Sequence, residues 1–131
     1  MAVICFTIPG VPLGKPRMTR SDRWKKRPCV TKFWEWKDNV IKHCGEIPDP
    51  ESIIQLNWLA YFEPPASWSK KKRAALFGQL HRYKPDRDNI DKAILDSLFK
   101  DDSAIASGFL EKRWGSPARI EVTIITLEKQ K

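Results

Sequence analysis

The sequence predicts an α+β fold in one domain, because strand-like and helix-like stretches alternate along it without a regular βαβ repeat. Three observations carry that reading. Apolar, β-branched runs stand near both ends and in the middle. Helical spacing of large residues appears between them. No internal repeat is visible. At 131 residues the chain fits one domain over 1–131, and 41% hydrophobic residues suffice for a real core.

Residues 2–8 (AVICFTI) read as the first strand, closed by the breakers of IPGVPLGKPR. Residues 10–28 are rich in proline, glycine and basic side chains: Lys15, Arg17, Arg20, Arg23, Lys25, Lys26 and Arg27. That composition predicts a mobile arm or loop, whose positive charge suits a polyanion such as DNA. Thr31 can cap a helix over roughly 32–44, where Phe33, Trp36, Val40, Ile41 and Cys44 recur at helical spacing and Gly45 follows. IPDPES is a turn, and 53–62 (IIQLNWLAYF) is a strand ended by Pro64 and Pro65. Ser67 or Ser69 can cap a short helix through about Leu76, with Gly78 as its stop. The next helix covers 89–100. RIEVTIITL, from Arg119, alternates as a half-buried strand.

Lys and Arg total 24 against 16 Asp and Glu, a net charge of +8 and a pI near 9.6. This excess suits a polyanion, since each Lys or Arg on a phosphate releases condensed counterions; a basic surface without a ligand is the plainer alternative. The block Lys70, Lys71, Lys72, Arg73 is a solvated face or a phosphate contact. Cys5, Cys29 and Cys44 are odd in number and too widely spaced for a CxxC pair, so they read as reduced thiols. No apolar run is long enough to span a bilayer and no signal peptide is evident, which predicts a soluble, cytoplasmic protein without a membrane partner.

The chemistry concentrates in Tyr83-Lys84-Pro85-Asp86-Arg87-Asp88-Asn89-Ile90-Asp91-Lys92, followed by Asp96 and Asp101-Asp102. Pro85 favours extended backbone before it. In extended chain, Asp86 and Asp88 point to the same side about 6.6 Å apart, and two such carboxylates repel unless a cation sits between them. Hard oxygen donors suit Mg²⁺. Asp88 or Asn89 is placed as N-cap, with Lys92 a turn further on. On the helix wheel Lys92, Asp96 and Lys100 share one face, while Ile90, Ile94 and Leu98 form the apolar stripe. Leu95 and Phe99 spill beyond it, and a dimer contact would cover them. Asp101-Asp102 fall where the helix dipole disfavours negative charge, a placement a metal would offset. Alternatively the whole set is structural: a capped helix start, a Lys92–Asp96 pair and a turn. Trp34 and Trp36, in the 32–44 helix, read as core rather than base-stacking platforms. His43 and His81 read as structural or as peripheral phosphate contacts, and no Ser–His–Asp order, HExxH, P-loop or GxGxxG appears.

The stretch KPDRDNIDKAILDSLFKDD resembles the signature of the RusA family of junction-resolving endonucleases, and IPGVPLGKPR, PPASWSKKKRAAL and EKRWGSPARIEVTI resemble its phage-type members. The resemblance implies a mixed or antiparallel sheet packed against helices. It also implies a homodimer that binds a four-way DNA junction and cuts two opposed strands with Mg²⁺, for which Mn²⁺ could substitute, and no small-molecule cofactor. It carries the metal-binding role to Asp86, Asp88 and Asp102 and the essential lysine to Lys92. Asn89, Asp96 and Asp101 are supporting residues. Lys15, Arg17, the Lys70–Arg73 block, Lys112 and Arg113 are the expected DNA contacts. Ala104 departs from the pattern, standing where many relatives carry Gln, which puts fine positioning or sequence preference in doubt.

Overall fold

A computed structural model describes residues 1–16 and 27–127. It has four strands and three α-helices in the order β1 (Ala2–Pro9), α1 (Pro28–Cys44), β2 (Ile53–Phe62), α2 (Lys70–Leu76), α3 (Arg87–Leu98), β3 (Leu110–Trp114) and β4 (Arg119–Thr126). The sheet order is β1-β4-β2-β3: β4 pairs antiparallel with β1 and β2, and β3 lies parallel to β2. The α+β architecture with a mixed sheet is therefore present.

Alternation dictates which face is covered. In β4, Ile120, Val122, Ile124 and Thr126 are buried while the residues between them stay half-exposed. A register shift between Ile53 and Gln55 resets the phase of β2, so Ile53 is buried and burial then recurs at Leu56, Trp58, Ala60 and Phe62. This is how a nearly continuous apolar run becomes a one-sided strand. Phe33, Trp36 and Val40 of α1 and Ile90, Ala93, Ile94 and Leu98 of α3 close over that face in one cluster. The core role expected of the α1 tryptophans holds for Trp36 and fails for Trp34, which is exposed; Trp58 and Trp114 are buried as well.

Several boundaries differ from the sequence reading. Helix α1 begins at Pro28, not near residue 32, because proline at the first helical position arrives with its φ already set and needs no N–H. Thr31 does not cap it; its hydroxyl donates to the Arg27 carbonyl one turn back. IPDPES contains a short 3-10 turn, Pro50–Ser52, whose start Asp49 caps by accepting from the Glu51 N–H at 3.1 Å. Ser69 caps α2 by accepting from the Lys72 N–H at 3.2 Å.

Strand β3 was not anticipated. Its sequence, LEKRW, is short and mostly charged, so it lacks the apolar alternation that marks β4. Its pairing comes from the neighbour: Leu56 and Trp58 N–H donate to Ser107 and Phe109 carbonyls at 3.1 and 3.0 Å, and the ladder continues from Leu110. Gly108 permits that approach, since a Cβ there would stand 2.0 Å from the Leu56 carbonyl oxygen.

The arm is only partly as expected. Residues 10–16 are tied down rather than mobile: Pro12 is buried, Gly10 N–H donates to the Ala118 carbonyl, and Lys15 N–H donates to the Asn89 carbonyl at 3.1 Å. Arg17, Arg20, Arg23, Lys25 and Lys26 lie outside the described residues.

Candidate active site

Helix α3 organises the site. It starts two residues earlier than expected, with Asp86, not Asp88 or Asn89, at the N-cap position. Asp86 is extended, and its carbonyl takes the first helical bond from the Ile90 N–H at 3.1 Å while its side chain makes no capping bond. Asp88 therefore lies in the first helical turn and is exposed. The extended geometry expected across Asp86–Asp88 stops at Asp86. Once the chain turns, residues two apart no longer face the same way. Both carboxylates still sit where the partial positive charge of the helix start favours anions.

The backbone entering α3 is held from β3. The Lys112 ammonium donates to the Tyr83 and Pro85 carbonyls at 2.6 and 2.8 Å. Partial burial pulls its pKa down, the nearby Asp86 charge pulls it up, and Arg87 adds a further downward push. Lys112, expected as a DNA contact, thus serves the loop that presents Asp86. Arg113 is likewise engaged: its guanidinium pairs with Glu111 and donates to the Gly78 carbonyl.

Asp91 is the residue that sequence reasoning passed over. Trp58 Nε1, at the centre of β2, donates to Asp91 Oδ1 at 3.0 Å. Burial pushes the Asp91 carboxyl above its ordinary range, the Trp58 bond opposes that, and the charge of Asp102 pushes it further up. Asp102, in the turn past α3, therefore lies near enough for its charge to act on Asp91. The available signal was spacing: Asp91 stands three residues after Asp88, one turn along the same face.

Asp101 and Asp102 part company. Asp101 Oδ1 accepts from the Ser103 N–H at 3.0 Å, and that bond holds its carboxyl below the usual range. The turn itself offsets the Asp101 charge, with no cation needed. Asp96 pairs with Lys15 across α3, rather than with Lys92 one turn before it. Phe99, expected to spill toward a second contact, is buried in the chain's own core, and Leu95 packs half-buried against it. Lys92 is exposed on α3, Lys70, Lys71 and Lys72 are exposed on α2, and Arg73 is half-buried. His81 is buried, stacked on Phe62 at 3.9 Å, as its structural reading expected.

The donors are hard carboxylate oxygens, of the kind Mg²⁺ takes one or two at a time while keeping several waters. Their chemistry fits such an ion. Their placement departs from the expectation of convergence, since among the described residues no three His, Cys, Asp or Glu side chains form a group that could hold one. Helix α3 begins before Asp88, so the extended stretch expected to set Asp86 and Asp88 on one side does not form. A hollow of about 660 Å³ lies over the sheet between Cys5, Asn57, Phe109 and Glu121 and contains none of the motif carboxylates. No helix among the described residues is long and apolar enough to cross a membrane.

An α+β domain that sets two aspartates at a helix start, a lysine one turn on and a returning acidic turn has the parts of a phosphodiester-cutting nuclease. The family described as endodeoxyribonuclease RusA matches residues 9–125, and the chain belongs to that family. No curated protein matches it. The family makes it an endodeoxyribonuclease, a hydrolase of DNA phosphodiester bonds.

Proposed function

We propose that this protein is a Mg²⁺-dependent, structure-specific endodeoxyribonuclease that resolves four-way junctions by paired cuts, as a homodimer, in DNA recombination and repair. The observation that carries the reading is the family match over residues 9–125, taken with the helix start that presents Asp86 and Asp88.

Asp86, Asp88 and Asp102 are the proposed metal-holding residues. A bound Mg²⁺ would supply a polarised phosphate and a water of lowered pKa. Lys92, an exposed ammonium one turn beyond Asp88, stabilises the negative charge that develops on the phosphate oxygens. Lys112 keeps the loop before Asp86 in place. The exposed lysines of α2 contact the DNA backbone, a sequence-independent attraction that sets orientation. Two opposed cuts need two sites, and each chain carries one motif, which is the argument for the dimer.

Synthetic four-way junctions, forks, flaps and linear duplexes, incubated with and without Mg²⁺, test this reading. Ligatable nicks at opposed positions in the junction, seen only with the metal, are expected. A preference for flaps or forks would reassign the substrate. Binding without any cutting would leave a nucleic-acid-binding module. Light scattering that finds only monomer on the junction would overturn the dimer.

A further inference from the structure

We infer that Asp96 and Lys15 form a latch that seats the base of the basic arm on the motif helix, so that Lys15 acts in DNA binding as a positioning residue and not as a phosphate contact. The inference rests on the proposed function only in taking the bound polyanion to be DNA.

The ion pair joins Lys15 Nζ to Asp96 Oδ2, with side chains only 23% and 28% exposed. The ammonium is thus already engaged by a carboxylate and partly shielded from water. Two further contacts lock the same segment. The Lys15 N–H donates to the Asn89 carbonyl at 3.1 Å, on the first turn of α3. Next to it, a Cβ at Gly14 would stand 3.0 Å from Pro85 Cβ and 3.3 Å from Asn89 Cβ, so the chain lies directly against the entry to the helix. Phe33 of α1 adds a ring 6.0 Å from the same ammonium. Segment 14–15 is thus gripped from the residue before Asp86, from the residue after Asp88, and from Asp96 two turns along. The sequence then runs directly into Arg17, Arg20, Arg23, Lys25, Lys26 and Arg27. The point from which this basic run starts in sequence is set beside the motif helix by Asp96.

The two roles for Lys15 predict opposite signs for one substitution. If Lys15 contacts phosphate, Asp96→Asn frees its ammonium and removes a negative charge, so DNA binds more tightly. If the pair is a latch, Asp96→Asn loosens residues 14–15 on the helix and binding weakens. Affinity for a synthetic four-way junction, measured by fluorescence anisotropy in EDTA to prevent cutting, is expected to fall about fivefold or more in Asp96→Asn. Lys15→Ala is expected to fall equally, and the double variant no further than either, so the two losses do not add. The charge swap Lys15→Asp with Asp96→Lys should recover much of the affinity, and its recovery would also show that a poorly folded single variant failed for want of the pair. Amide exchange followed by NMR supplies a readout that does not involve DNA. In Asp96→Asn the Lys15 N–H should lose at least tenfold protection while the Ile94 N–H keeps its own.

Tighter or unchanged binding by Asp96→Asn, an unchanged Lys15 amide, or a swap no better than the single variants would each overturn the latch. Absence of DNA binding by the unaltered protein would instead overturn the proposed function.

Discussion

Trp58 and Asp91 join the middle of the sheet to the middle of the motif helix: the indole N–H donates to the carboxylate at 3.0 Å, across 33 positions of sequence. Trp58 is 2% exposed, so its N–H has no access to water if the partner is lost. The bond fixes the rotation of α3 about its axis, and with it the directions in which Asp88 and Lys92 project. Helix rotation is here a consequence of a polar contact as well as of the apolar stripe.

A double-mutant cycle measures that relationship. Trp58→Phe should lose about 1.5–3 kcal/mol, the usual worth of a hydrogen bond to a charged group. Asp91→Ala should cost about 1–3 kcal/mol by leaving a buried donor unmatched. The pair should lose less than the sum. Strict additivity in urea denaturation would show that the bond carries no energy.

Asp88→Asn should reduce junction cutting by about a hundredfold or more, since even residues that merely support a metal ligand cost 10–100-fold. Junction binding should persist or tighten, because a negative charge beside the phosphates is gone. Single-turnover cleavage and anisotropy on the same preparation separate the two effects. Full cleavage by Asp88→Asn would remove this residue from the site.

The stability of the fold should depend on His81. Burial and the nearby Lys112 charge lower its pKa from 6.5 to about 4, and among the described residues its Nδ1 has no hydrogen-bond partner. The unfolded chain therefore takes up the proton first as pH falls. Stability is full above about pH 6.5 and declines toward pH 4. At about 1.4 kcal/mol per pKa unit the loss reaches on the order of 3 kcal/mol. His81→Phe keeps the stack on Phe62 and removes the proton site, so its urea midpoint should change much less over that range.

Gly108→Ala should destabilise the protein by about 1–3 kcal/mol, the range for forcing extra volume into a packed place. The added methyl would meet the Leu56 carbonyl, which is backbone and has little freedom to yield. Amide exchange should localise the damage to Leu56 and Trp58, whose N–H groups bond to Ser107 and Phe109. A thermal midpoint equal to that of the unaltered protein would contradict the close approach.

The strand β4 and the helix α2 were legible because each follows a local rule: period-two burial in one, a serine cap in the other. The start of α1 was misplaced because Thr31 looks like a cap, and only the backbone shows that Pro28 already occupies the first turn. The start of α3 was misplaced for the same kind of reason. Asp86, Asp88 and Asn89 are all good N-caps, and their side chains do not decide among them. Strand β3 left almost no trace, since its order comes from pairing with β2 and not from its own side chains.

The family signature was readable in the order of Asp86, Asp88, Lys92, Asp96, Asp101 and Asp102 along a helix and its exit, while the engagement of Asp91 was not. What local pattern cannot express is which charge neutralises which. Lys15 meets Asp96 across 81 positions, Lys112 reaches the Tyr83 carbonyl across 29, and Trp58 finds Asp91 across 33. Each pairing depends on sheet order and on how helices sit against it. The sequence by itself determined the kind of chemistry and the stripe that buries α3. The tertiary structure alone decided that the Lys15 ammonium meets Asp96 and the Lys112 ammonium meets the Tyr83 and Pro85 carbonyls, because a cation brought within hydrogen-bond reach of a carboxylate or a carbonyl, and partly shielded from water, binds there.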